Sequence, residues 1–461
     1  MSILIRIKNL ARHLAHFYSL LTISFILLVG AAFATAQPLV EEEDALSASQ
    51  TPPNGPSIDR ETDEPVPTEL YNAIYQIVVI ETETNNKAAL GSGFQISSDG
   101  LVITNYHVIS NMVFEPDHHR VEFVAHDGEE GTLTLLSFDV INDLAILRRE
   151  NAPADHLPLA TQLPARGESI YAIGNPHDVG MLMVTGAYNG LAEHSYVDQI
   201  LYSGSLNSGM SGGPTVNGAG EVVGVNVSTA GSQLSFLVPV SKVFNLLPAA
   251  DTSLKTDEYL GHIRTQIKAH QDEYFTILLD ADWKLETLGD HAEVPGEMGL
   301  DTNCWGNSNE DNEEALYLVL QLQCNNSNRI YLQPRFNTGA LHYSYFYNQA
   351  KDSSDYRFHK AISNSRYFPD NAANDDEVTP FECEQTYLEA DPDAPEGYYL
   401  QVGFCNRAYI NLEGLYDIVF YRTSGGPDRT LTTHFTLAGV DQAVALEFTQ
   451  RFMDEVQWKS L

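Results

Sequence analysis

From about Glu69 to Leu247 the apolar positions fall in short runs rich in Val, Ile and Tyr, separated by Gly, Asn and Asp. The runs are YQIVVIET, GSGFQIS, LVITN, VEFVAHD, GTLTLLSF, DLAILRR, ESIYAIG, QILYSG, EVVGVNVS and LSFLVPV. Many short strands at such spacing predict an all-β sandwich or barrel rather than alternating strands and helices. SKVFNLL, whose apolar positions recur at helical spacing, is expected to close this block as a short helix. The region expected to form one domain is therefore 69–248.

After Pro248 a polar, helix-prone stretch (KTDEYLGHIRTQIKAHQDEYF) leads into a second β-rich region, 249–461. This region repeats itself weakly: LYLVLQLQCNNSNRIYLQ around Cys324 is similar to YYLQVGFCNRAYINLE around Cys405. Each half also has an earlier cysteine, Cys304 or Cys383, and a Phe-Tyr pair, Phe346-Tyr347 or Phe420-Tyr421. Two related modules, about 270–365 and 375–461, are expected, with a closing amphipathic helix from about Asp441 to Lys459. Chance similarity of aromatic strands is the competing explanation.

The N-terminus has the form of an export signal: Arg6, Lys8 and Arg12, an apolar run from Phe17 to Phe33, and Ala34-Thr35-Ala36 ahead of Gln37. Cleavage after Ala36 fits the small-residue rule, and an uncleaved membrane anchor is the alternative. Either way the remainder is expected outside the cytoplasm, in the periplasm or the extracellular space. Residues 37–68, acidic and Pro-rich, lack the apolar groups needed to offset ordering and are expected to form a linker. In an oxidising compartment the four cysteines suggest two disulfides, with Cys304 joined to Cys324 and Cys383 to Cys405. Zinc is the rival, but the short C-x-x-C knuckle is missing, so no metal and no cofactor is expected.

Charge narrows the partners. With 62 Asp and Glu against 25 Lys and Arg, the formal charge is −37, and no cation cluster invites a phosphate backbone. Nucleic acid is excluded as a partner. The acidic excess is expected to serve solubility, with a preference for basic partners or bound cations as the alternative.

Three local features carry candidate chemistry. In GMSGGP, Gly209 to Pro214, glycines permit a tight turn that presents Ser211, and the amides of Gly209 and Ser211 converge as an oxyanion hole would require. The same loop, alone, is equally an ordinary flexible turn. In TNYHVI, His107 stands between a strand and a turn of helix, where an imidazole titrating near neutrality suits general-base work. In NDLAILRR, Asp143 precedes a strongly apolar strand, and a carboxylate there needs a fixed partner such as an imidazole N–H. The alternative for Asp143 is a strand-initiating turn.

Together GSGFQISSDGLVITNYHVI, NDLAILRR, AIGNP and NSGMSGGPTVNGAGEVVGVN resemble the protease domain of the HtrA/Deg branch of trypsin-like serine peptidases, over roughly Tyr75 to Val243. The resemblance implies a mainly β fold: two six-stranded β-barrels of the chymotrypsin type, followed here by the β-rich, disulfide-containing region and its terminal helix. It implies His107 as general base, Asp143 as its orienting acid, Ser211 as nucleophile, and polypeptides as substrates. Ser205, six residues before the nucleophile, would lie at the base of the specificity pocket, with Asn226 and Val227 on its wall. Without a carboxylate there, cleavage after Lys or Arg is disfavoured. Relatives often form trimers, which implies a homo-oligomer.

Three departures bear on what carries over. Met210 stands where the family usually has Asn, beside the oxyanion loop. Beyond the fragment EYLGHI nothing continues as a PDZ domain, and no Ile-Val-Gly-Gly activation site precedes the block. A serine endopeptidase of protein quality control or processing is the expected function. The competing reading is a protease-like scaffold of weak or no turnover whose C-terminal region recognises a partner.

Overall fold

The computed structural model describes residues 68–175, 180–229, 233–252, 254–289, 292–299, 301–326, 329–351, 353–362, 373–388 and 398–458. The expected export signal and nearly all of the expected linker lie outside the described residues.

The first barrel comprises β1 (Ile74–Glu81), β2 (Lys87–Gln95), β3 (Leu101–Thr104), β4 (His119–Val124), β5 (Glu130–Asp139) and β6 (Leu144–Arg149), closed in the order β1-β2-β3-β6-β5-β4. Helix α1 (Tyr106–Phe114) follows β3 and puts Tyr106, Val108, Ile109, Met112 and Val113 into the apolar interior. The second barrel comprises β7 (Ser169–Gly174), β8 (Leu182–Leu191), β9 (Ile200–Tyr202), β10 (Pro214–Val216), β11 (Val222–Thr229) and β12 (Ser235–Pro239), closed as β10-β11-β12-β9-β8-β7. Closure leaves neither barrel with an open edge.

Ten of these twelve strands coincide with apolar runs in the sequence. The other two gave no such signal. In β8 exposed and half-buried positions predominate along LMVTGAYNGL, so it lacks a continuous apolar run. In β10 only three residues pair, starting at Pro214. SKVFNLL forms α2 (Val240–Leu246), and the polar stretch after Pro248 forms α3 (Tyr259–Asp280).

Past α3 come β13 (Leu285–Leu288), β14 (Ala292–Pro295), β15 (Thr302–Ser308), β16 (Tyr317–Asn326), β17 (Ile330–Gln333), β18 (Phe336–Thr338) and β19 (Leu341–Ala350). They are followed by α4 (Asp355–Ile362), β20 (Glu382–Leu388), β21 (Tyr399–Ala408), β22 (Tyr416–Gly425), β23 (Arg429–Val440), α5 (Gln442–Glu455) and β24 (Gln457–Trp458). Seven of these strands form one sheet in the order β15-β16-β19-β23-β22-β21-β20.

The two cysteine-bearing segments expected as separate modules thus share a single sheet. The reason lies in β23, which pairs with β19 on one side and β22 on the other and fuses the two meanders. Their similarity survives as matching outer hairpins: Cys304 pairs directly with Cys324, and Cys383 with Cys405, and both pairs are disulfide-bonded. Bonded to each other, the four thiols are not available as zinc ligands.

Helix α5 begins at the cap Asp441, whose carboxylate accepts from Val444 N–H. It lays Phe448 and Phe452 against Tyr343, Tyr345, Phe420 and Phe435 on one face of the sheet. Facing the first barrel, α3 places Tyr259, Ile263 and Ile267, spaced four apart, in one apolar cluster with Tyr106, Phe138, Ile330, Leu332 and Phe336. Gln266 of α3 completes this junction, accepting from Val140 N–H at 2.8 Å and donating to Phe138 O at 2.8 Å. The hairpin β17–β18 consequently lies against α1, and the Tyr106 hydroxyl donates to Leu332 O at 2.8 Å.

Candidate active site

His107 is the second residue of α1, where backbone N–H groups have no partner within the helix. Asp143 supplies one, accepting from His107 N–H through Oδ1 at 2.8 Å and meeting the ring Nδ1 through Oδ2 at 2.7 Å. Both contacts require Asp143 to leave the β5–β6 turn in an unusual direction, and its φ of 54° lies in the left-handed region that Asp tolerates. Asn105 fixes the turn from the helix side, its Nδ2 donating to Asp143 O at 2.8 Å. The pair is partly open to solvent, with 29% of the His107 side chain exposed and 20% of that of Asp143. Burial acts to lower the pKa of His107, but the charge and hydrogen bond of Asp143 prevail and hold it above the ordinary histidine value.

The loop carrying Ser211 is clamped from two sides. Ser92 of β2 donates through N–H to Ser211 O at 2.8 Å and through Oγ to Gly209 O at 2.7 Å. Its Oγ accepts from Asn175 N–H at 3.0 Å, and its carbonyl accepts from Thr104 Oγ1 at 2.7 Å. From below, Asn226 donates to Ile173 O at 3.0 Å and to Met210 O at 3.2 Å. With its carbonyls turned inward, the loop leaves the amides of Gly209 and Ser211 without an acceptor among the described residues. Gly209 and Gly212 hold φ of 94° and 84° to make this turn, and a Cβ on Gly212 would come within 2.3 Å of Ser92 O.

Ser211 Oγ donates to Val227 O at 2.9 Å, and no hydrogen bond joins it to His107 among the described residues. Of the expected pocket residues, Ser205 is exposed and Val227 is half-buried. Asn226 differs from the expectation of a wall residue. It is fully buried, and its Oδ1 accepts from Thr215 Oγ1 at 2.6 Å, so its whole amide is spent tying the loop at Met210 to β7 and β10. Met210 is also fully buried, in the apolar cluster with Ile170, Ala172, Tyr202 and Leu237, so it anchors the loop in the second barrel rather than facing the cleft.

Three contributors had gone unassigned in the sequence. Ser92 and Asn175 stand inside GSGF and AIGNP, where a serine between two glycines in a strand was the available signal. Tyr331 had none: it comes from β17, and its ring meets that of His107 edge-on at 5.9 Å between centroids.

Two closed six-stranded barrels, with an imidazole–carboxylate pair beside one and a glycine-framed serine on the other, define a trypsin-like serine-peptidase fold. In agreement, residues 91–225 match the family model described as "Trypsin-like peptidase domain". The chain is similar to serine protease HTRA1 of Xenopus laevis, 34% identical over 191 residues, which are 38% of this chain and 40% of that one. It is also similar to serine endoprotease DegS of Haemophilus influenzae, 29% identical over 38% of this chain and 54% of that one. A crystal structure of the serine endoprotease from Yersinia pestis aligns with a TM-score of 0.35 at 24% identity, covering 40% of this chain and 64% of that one. In sequence the two-barrel region is similar to HtrA and DegS serine proteases, and the chain spans about two fifths to just over half the length of these two relatives.

Proposed function

We propose that the chain is an exported serine endopeptidase in which His107, Asp143 and Ser211 act as one catalytic unit on polypeptide substrates. The observation that carries this reading is the doubly bonded His107–Asp143 pair, together with a serine loop whose two neighbouring amides are unused. With Asp143 on Nδ1, the neutral ring keeps its proton there and offers Nε2 as the base. On substrate binding the Ser211 hydroxyl turns from Val227 O to Nε2, gives up its proton and attacks the scissile carbonyl. The amides of Gly209 and Ser211 receive the oxyanion. His107 then protonates the leaving amine, and water, deprotonated by the same ring, releases the acyl group from Ser211.

An exposed Ser205 with no carboxylate at that place favours small or medium apolar side chains before the cut. The N-terminal Arg/Lys-flanked apolar run and Ala34-Thr35-Ala36, and the two disulfides, support export to an oxidising compartment, with processing or quality control of proteins as the role. No helix among the described residues is long and apolar enough to cross a membrane.

A fluorophosphonate probe tests the reading. Covalent labelling of the wild type, abolished in Ser211→Ala, is the expected result. A folded wild type that takes no label would instead support a binding scaffold, in which the Ser211–Val227 hydrogen bond is a resting arrangement never left.

A further inference from the structure

We infer that Tyr331, delivered by the C-terminal region, is a specificity-determining residue that limits the size of the substrate side chain next to His107. The inference rests on the peptidase reading above. During acylation the imidazole must stand between Ser211 Oγ and the leaving nitrogen. The substrate segment on the acyl side therefore runs past the flank of the His107 ring, and the side chain one residue before the attacked one meets that flank. Here a ring from a strand 224 positions further along the chain occupies it: Tyr331 stands edge-on to His107, half-buried, with its phenol interacting with Ser110 of α1.

The placement is rigid. Ile330 and Leu332, the neighbours of Tyr331 along β17, are buried in the cluster shared with the first barrel, as is Phe336 of β18. Leu332 O is tied to the Tyr106 hydroxyl one residue before His107, and Gln333 donates to Glu377. Tyr331 itself packs at the margin of this cluster, which holds its ring beside that of His107. Because the two rings already touch, no slot remains between them. A substrate side chain at this position must lie over both, so glycine and alanine are accommodated and leucine or phenylalanine is hindered.

The test uses the protein from Gln37 onward, a peptide library varied one position before the cleaved residue, and the variants Tyr331→Ala and Tyr331→Phe. Tyr331→Ala is expected to raise kcat/KM for leucine and phenylalanine relative to glycine by about tenfold, mainly through KM. Tyr331→Phe, which keeps the ring, retains the wild-type profile. Fluorophosphonate labelling runs alongside. A wild type that takes no label overturns the peptidase reading and this inference with it, whereas labelled proteins with parallel profiles in wild type and Tyr331→Ala overturn the role of Tyr331 alone. Should Tyr331→Ala fail to fold, Tyr331→Val carries the same comparison.

Discussion

Replacing Asp143 by Asn changes one atom and isolates its electrostatic part. The His107 N–H that now donates to Oδ1 at 2.8 Å still needs an acceptor, so the amide oxygen of the variant turns to it. This leaves the amide nitrogen, a donor, facing the Nδ1 that lies 2.7 Å from Oδ2. Nδ1 must then accept, the ring proton moves to Nε2, and the nitrogen facing the nucleophile can no longer take a proton. Loss of the correct tautomer costs about 10⁴ in rate, or about 5.5 kcal/mol of barrier.

The pH profile separates this from simple damage. On the proposed mechanism the general base is the neutral ring, so activity is expected to rise with pH through a midpoint above the ordinary 6.5. Asparagine removes both influences that raise the pKa and leaves burial, which lowers it, so the residual activity of the variant rises at lower pH. Stability follows the opposite sign. A raised folded-state value stabilises the fold below 6.5 and loses that contribution as pH rises through the raised value. The assay is kcat/KM from pH 5 to 9 on one peptide substrate. Asp143→Asn within tenfold of wild type, or a wild-type midpoint below the ordinary histidine value, would refute the reasoning.

Burial, together with the neighbouring His342, lowers the pKa of His434 to about 3, so the unfolded chain binds its proton first and stability falls as pH drops below 6.5. Between pH 7 and 4 the loss from this group is about 3 kcal/mol. Urea midpoints across that range should flatten in His434→Gln, and equal slopes for both proteins would count against the assignment. Opening the Cys383–Cys405 disulfide, which spans a sequence separation of 22, should cost about 3 kcal/mol and lower the denaturation midpoint of Cys383→Ser/Cys405→Ser. Met210→Ala leaves a cavity in the second barrel and should cost about 2–5 kcal/mol, with weaker fluorophosphonate labelling as the loop loosens. An unchanged melting temperature would show that Met210 is not an anchor.

The barrels were readable because most of their strands are short apolar runs set off by turn residues, and the site because its residues sit within distinctive local strings. β8 escaped because its exposed and half-buried positions give it no apolar run. Asn226 was expected on the pocket wall only from the geometry the resemblance implies, whereas here three hydrogen bonds bind its amide to Ile173, Met210 and Thr215. The single seven-stranded sheet was hidden for a different reason. Similar hairpins look the same in sequence whether they fold apart or side by side, and only the pairing of β23 with both β19 and β22 decides it. Tyr331 is the extreme case, since its meeting with His107 depends on long-range packing that leaves no local trace.

The apolar cluster that joins the first barrel to α3 and the β17–β18 hairpin also governs how the molecule can come apart. Severing the chain between α2 and α3 would not release a finished pair of barrels. It would bare the surfaces around Tyr106 and Phe138 that Tyr259, Ile263, Leu332 and Phe336 now keep dry. The barrel that bears the imidazole and the β-rich region beyond it share one apolar seam, so opening either wets side chains that belong to the other.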